Sequence, residues 1–123
     1  MILGTGIDIV RVRRLERWRD IPGLCERWFH PRELAYSRRR GKGEAESLAA
    51  RFAAKEAFGK ALGTGLAGFG LRELEVFAEG GGGPGLRLSG RALEALRGMG
   101  GRRVFLSLSH DKDNAIAMVI IEG

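Results

Sequence analysis

Residues 2–10, ILGTGIDIV, have the two-residue period of a β-strand, with Leu3, Thr5, Ile7 and Ile9 on one face and Ile2, Gly4, Gly6, Asp8 and Val10 on the other. Asp8 therefore shares its face with two glycines. The period then lengthens. In RVRRLERWRD, Val12, Leu15 and Trp18 recur every three residues while Arg13, Arg14 and Arg17 point away from them, which predicts an amphipathic helix with an arginine face. Pro31 to Arg40 reads as a second short helix, Pro31 sitting at the first helical position where its missing N–H costs little, and RGKG ends it. A longer helix runs from about Glu44 to Leu62 and stops at Gly63. Projection at ~100° per residue gathers Ala50, Ala53, Ala54, Ala57 and Ala61 on one side, with Leu48 and Phe52 roughly opposite. Such a helix is apolar nearly all round and belongs in an interior. Two charged pairs interrupt it: Glu56 with Lys60 on one flank, Arg51 with Lys55 on another.

Beyond Gly65 the pattern predicts mostly β structure. LRELEVFA alternates like a strand, GGGGPG reads as a turn, LRL is short and GRALEALRGM is helical. RVFLSLS and NAIAMVIIE are rich in branched and apolar residues, and HDKD between them suits a hairpin. Strands at both ends with helices between predict an α+β fold, an antiparallel sheet packed against the long buried helix. The length of 123 residues fits one domain covering 1–123.

Charge sharpens this picture. The formal excess of +6 lies wholly in residues 1–43, where 11 Lys/Arg face 5 Asp/Glu, since residues 44–123 hold 10 of each. A localised basic surface implies an acidic partner: nucleic acid, an anionic membrane or an acidic protein. An ordinary solvated face is the plain alternative, because 17 of the 21 basic residues are arginine in a chain biased that way. The single cysteine, Cys25, permits no internal disulfide and reads as a small buried hydrophobe. No run approaches the ~20 apolar residues of a membrane span, and the N-terminus has no secretion-signal pattern, so a cytoplasmic protein is expected.

The glycine run lacks the Lys-Ser/Thr and helix start of a P-loop. Ser107, Ser109, His110 and Asp111 are neighbours at one strand end and cannot converge as a hydrolase triad. Asp8 and Glu56 remain, acidic residues in apolar settings, together with basic residues able to hold phosphates; hard carboxylates suit Mg²⁺, which takes one or two of them plus phosphate oxygens. Plainer roles stand beside these. Asp8 also reads as a charge guarding an edge strand, Glu56 with Lys60 as an i,i+4 helix pair, and His110 as a cap on a strand end.

Three segments carry a resemblance. GTGIDIV near the start, RFAAKEAFGKALGTG in the middle and LSLSHDKDNAIAMVII at the end occur in the order found in the holo-acyl-carrier-protein synthases, small phosphopantetheinyl transferases, which the chain resembles over essentially its whole length. The resemblance implies a cytoplasmic, homotrimeric enzyme of fatty acid biosynthesis that moves phosphopantetheine from coenzyme A to a serine of apo acyl carrier protein with Mg²⁺. It assigns the metal to Asp8 and Glu56 and the coenzyme's phosphates to Lys60. It assigns further coenzyme A contacts to Arg51, Gly63, Thr64, Gly65, Ser109 and His110, with His110 near the ribose phosphate. It gives the acidic carrier protein to Arg14, with Arg13 and Arg17 beside it. Glu56, a metal-held water and a substrate phosphate are each able to take the serine's proton. From another class, the arginine-rich first helix alternatively reads as a nucleic-acid-binding surface. Against that stand the low aromatic content, 7%, and the lack of any RNP-like or zinc-finger motif.

Overall fold

The alternation near the N-terminus is realised as strand β1 (Ile2–Arg11), in a computed structural model that describes residues 1–78 and 83–123. Helix α1 (Val12–Arg19) follows at once and buries Val12 and Leu15, leaving Arg13, Arg14 and Arg17 in solvent. A short helix α2 (Leu24–Trp28) was not expected from the sequence; it buries only Cys25 and carries too few apolar positions for a period to show. Helix α3 (Pro31–Arg38) starts as expected, with a capping box in which His30 accepts from the Arg32 N–H and Glu33 accepts from the His30 N–H. Helix α4 (Glu44–Leu62) keeps the expected bounds and ends on Gly63 in the left-handed conformation at φ 86°.

Strands β4 (Arg103–His110) and β5 (Asn114–Glu122) form the expected hairpin, and β5 lies between β1 and β4 in a three-stranded antiparallel sheet. In the connection, the Asp111 carboxylate accepts from the N–H groups of Asp113 and Asn114, 2.8 Å each. Those bonds hold the Asp111 pKa below its ordinary value. Helix α4 packs across β1 and β5, and its alanines meet Ala115, Ala117, Val119 and Ile121 in the core. The expected α+β arrangement, an antiparallel sheet on a long buried helix, is therefore observed.

Two details differ from the sequence reading. In LRELEVFA, Leu71–Glu73 form a 3₁₀ turn and only Leu74–Ala78 form a strand, β2. The Glu73 side chain accepts from the N–H groups of Gly70 and Arg91, holding that corner out of the extended conformation. Of the GGGGPG turn, Gly80, Gly81 and Gly82 lie outside the described residues. Pro84 and Gly85 belong to strand β3 (Pro84–Leu88), which pairs with β2 as a separate two-stranded sheet. Gly85 pairs with Phe77, whose ring occupies the space a Cβ would need. Helix α5 (Gly90–Gly98) then leads to β4. Among the described residues no helix is long and apolar enough to cross a membrane.

The glycines of β1 set how close α4 comes. A Cβ at Gly4 would fall on the carbonyl oxygen of Ala61, and one at Gly6 on that of Ala57 with the Ala61 amide nitrogen 2.8 Å away. Both obstacles are backbone and cannot rotate aside. Gly6→Ala is expected to destabilise the fold by about 1–3 kcal/mol through forced separation of strand and helix. Urea denaturation measures it, and a midpoint equal to that of the unchanged protein would contradict this account of the glycines.

Candidate active site

The close approach that Gly4 and Gly6 permit brings Asp8, on the helix-facing side of β1, against the last turns of α4. Lys60 Nζ lies 2.9 Å from Asp8 Oδ1 and also donates to the carbonyl of Ile7 at 3.0 Å. Among the described residues Lys60 makes no ion pair with Glu56, so the i,i+4 pair does not form; its partner comes from another element. Glu56 is half-buried, and its pKa is raised above the ordinary 4.5, chiefly by burial and next by the Asp8 charge, with Arg14 and Lys60 opposing. Asp8, Glu56, Lys60 and Arg14 thus share one electrostatic neighbourhood, although 48 positions separate the two carboxylates. An edge-guarding Asp8 would face solvent, whereas this one is largely covered and faces the helix.

The donor set suits a hard divalent cation: two carboxylates near enough to influence each other in a half-buried setting, with positions left for phosphate oxygens. No group of three or more His, Cys, Asp and Glu able to hold an ion by themselves occurs among the described residues. Any ion there would take its further ligands from water or from the substrate.

Gly63, Thr64 and Gly65 follow directly at the end of α4. The Gly65 N–H donates to the Gly59 carbonyl at 3.0 Å, and Gly59 must lack a Cβ because Gly65 lies against it. The turn folds back beside the last helical turn, next to Lys60.

Arg51 and His110 lie elsewhere. Nine helical positions separate Arg51 from Lys60, about 13 Å along the axis and about half a turn around it, so they point to opposite sides of α4. Arg51 and His110 line one groove with Tyr36, Arg40, Ser47 and Pro84. His110 Nδ1 sits 3.3 Å from Glu46 Oε2. Ser109 projects to the other face of β4, with Phe105 and Ser107, and its side chain does not enter the groove. Within one chain the expected site residues therefore form two separate sets.

The sequence reading missed several residues of these sites. Tyr36, Arg40 and Ser47 lack any motif, although Tyr36 and Arg40 are four positions apart, as stacked helix neighbours are; Arg40 Cζ lies 5.8 Å from the ring centroid. Lys55 was only part of a charged flank. It is fully buried, donating to Glu33 Oε1 at 2.6 Å and to the carbonyls of Leu71 and Leu74 at 2.9 and 2.6 Å.

Near α1 a groove opens between Ile9, Val10 and the arginines 11, 13, 14 and 17. The Arg14 guanidinium lies 4.9 Å from the Trp18 ring centroid and 5.3 Å from that of Phe52, which itself meets Trp18 edge-on.

Residues 4–117 match the family model of the 4'-phosphopantetheinyl transferase superfamily. A holo-[acyl-carrier-protein] synthase of Treponema denticola is 56% identical over 123 residues, covering all of both chains. The crystal structure of holo-[acyl-carrier-protein] synthase from Neisseria meningitidis superposes with a TM-score of 0.89 at 36% identity, covering all of both chains. A Bacillus anthracis holo-(acyl-carrier-protein) synthase in complex with CoA (3',5'-ADP) superposes at 0.81 with 35% identity, covering 98% of this chain and 96% of that one.

Proposed function

This chain belongs to the 4'-phosphopantetheinyl transferase superfamily, and from that premise we propose a division of labour among its residues. The enzyme transfers the phosphopantetheine group of coenzyme A to apo acyl carrier protein. A serine oxygen of the carrier bonds to the phosphorus on the pantetheine side as its proton passes to Glu56, a water or a substrate phosphate, the bond from that phosphorus to the bridging oxygen breaks, and adenosine 3',5'-bisphosphate leaves. Residues 1–123 act as one transferase domain, working in the cytoplasm. The nucleic-acid reading gains nothing from the relatives, which are synthases.

The reading of the chemistry rests on one observation: β1 and α4 bring Asp8, Glu56 and Lys60 into one neighbourhood. Asp8 and Glu56 would hold Mg²⁺, which when bound offsets the negative charge of the phosphoryl under attack. Lys60 is half exposed and able to move from Asp8 to the substrate's phosphates, where its charge favours departure of the bisphosphate. The Gly63-Thr64-Gly65 turn, adjacent to Lys60, offers backbone groups to the same phosphates. The experiment is incubation with apo carrier, coenzyme A and Mg²⁺ followed by mass spectrometry of the carrier. A carrier that gains no phosphopantetheine mass would overturn the reading.

The second set, Arg51 and His110, takes the nucleotide end of coenzyme A. Because this set points away from Lys60 within one chain, the complete site is built between copies, with one supplying Asp8, Glu56 and Lys60 and a neighbour supplying Arg51 and His110. A symmetric trimer serves this, and the sheet's outer face offers it an apolar surface: Ile7, Ile9, Phe105, Ile116 and Met118 are all exposed. Ser109 lies on that outer face and serves at the contact between copies. Light scattering at micromolar concentration is expected to return three times the chain mass, and a monomer would remove the shared site.

The acidic carrier docks on α1 through Arg14, with Arg13 and Arg17 beside it; Trp18 and Phe52 form the shelf under Arg14. Arg14→Glu is expected to lower kcat/KM for the carrier by about a hundredfold, the cost of juxtaposing like charges, and to affect coenzyme A binding far less. Steady-state kinetics with each substrate varied separately test it, and an unchanged KM and kcat for the carrier would contradict it.

A further inference from the structure

Arg51 is only 5% exposed, yet among the described residues no carboxylate lies within 4 Å of its guanidinium. Its Nε has no hydrogen-bond partner there. Burial pulls its pKa below the ordinary arginine value, Glu33 and Tyr36 only partly opposing. A buried cation lacking a paired anion is costly, and the cost is met when a ligand brings the anion. Three groups hold the guanidinium in this state. Nη1 donates to Ser47 Oγ at 2.8 Å and lies 3.4 Å from the Ser47 carbonyl. Ser47 Oγ is in turn 2.8 Å from Ser37 Oγ, a wholly buried hydroxyl on α3 that does not line the groove. Arg51 Cζ lies over the Tyr36 ring, 4.4 Å from its centroid.

We propose that Ser37, Ser47 and Tyr36 are positioning residues that aim Arg51 at the 3'-phosphate of coenzyme A, and that this clamp sets the enzyme's preference for coenzyme A over dephospho-coenzyme A. The inference rests on the reading that coenzyme A is the donor and that its nucleotide end enters the groove of Arg51 and His110. The groove suits a dianion: Arg40 and His110 join Arg51 around it, with Glu46 held by His110. Charge-assisted bonds from a guanidinium to phosphate are directional, so a small rotation of the fork weakens them. The two serines fix one end of the fork and the ring lies against the guanidinium, leaving Nη2 for the ligand while Nε stays buried. Such a clamp contributes little to a donor without the 3'-phosphate, so its loss is read as a changed preference and not as a general loss of rate.

The test compares kcat/KM for coenzyme A and for dephospho-coenzyme A, with the same apo carrier and Mg²⁺. The unchanged protein is expected to prefer coenzyme A by about tenfold to a hundredfold, as hydrogen bonds between charged groups imply. Ser37→Ala and Ser47→Ala are each expected to lower that preference by about threefold to tenfold. Tyr36→Leu is expected to do the same and Tyr36→Phe, which keeps the ring, to restore most of it. Tyr36 is half-buried, so its variants carry the test even where a serine variant folds poorly. A lowered melting temperature with an unchanged preference would make these residues structural only and overturn the proposal, as would a flat preference in the unchanged protein. No transfer from coenzyme A at all would sink the transferase reading, and this inference with it.

Discussion

Asp8→Ala and Glu56→Ala are each expected to cut Mg²⁺-dependent transfer by about a hundredfold to a thousandfold while leaving the protein folded. In the proposed site each removes one of the two carboxylates offered to the ion, and no group of three or more His, Cys, Asp and Glu occurs among the described residues to replace it. Folding survives because the pair repels itself: the Asp8 charge is one of the causes that raise Glu56. The pH dependence follows from that direction. With its pKa raised on folding, Glu56 binds more proton in the native than in the unfolded chain above the ordinary 4.5, so its contribution to stability is present at acid pH and is lost as pH rises through the folded value. Without Mg²⁺, Glu56→Gln is therefore expected to melt above the unchanged protein at pH 7, the gap closing as pH falls through the ordinary carboxylate range. Added Mg²⁺ is expected to reverse the order, because the ion stabilises only the chain that binds it. Melting curves at several pH values, with and without Mg²⁺, check this, and either alanine variant with near-normal turnover and unchanged Mg²⁺ dependence would remove that residue from the metal site.

The largest loss of stability is expected from Lys55→Met. Lys55 is 0% exposed and ties three parts of the chain to α4: Glu33 on α3, the carbonyl of Leu71 in the 3₁₀ turn and that of Leu74 at the start of β2. Glu33 is equally buried and also accepts from the N–H groups of His30 and Val76. Burial pushes the Lys55 ammonium below the ordinary lysine value, and the Glu33 carboxylate works against that. Removing the cation leaves a buried carboxylate uncompensated, at a cost of about 3–5 kcal/mol. For a chain of this size the melting temperature should fall by about 10–20 °C. Adding Glu33→Gln to Lys55→Met is expected to recover part of the loss, since an amide oxygen still accepts from a backbone N–H and carries no charge. A single variant within a few degrees of the unchanged protein would show that the pair is not what holds α3 and β2 to α4.

Much of this was legible in the sequence because it depends on local period and on residue type. The strand at residues 2–10, the helix from Glu44 to Gly63 and the terminal hairpin follow from periods of two and 3.6 and from glycine's access to positive φ. That Gly4 and Gly6 share the face of Asp8 was also legible. The identity of their obstacle, the carbonyls of Ala57 and Ala61, was not. Helix α2 escaped because five residues with one buried position contain no readable period. Tertiary structure alone decided who pairs with whom. Spacing offered Lys60 to Glu56, but a lysine side chain reaches whatever acceptor packing brings near, and packing brought Asp8. Spacing likewise put Arg51 and Lys55 on one flank, and only the fold sent Lys55 to Glu33 and left Arg51 facing a groove with no carboxylate within 4 Å among the described residues. The separation of the two site halves is fixed by the turn of one helix, about 100° per residue, so the positions of Arg51 and Lys60 already implied it. That His110 lies beside Arg51 emerged only when β4 was seen to bring it to the side of α4 that carries Arg51, because the packing of a strand against a helix more than fifty positions away leaves no trace in local sequence.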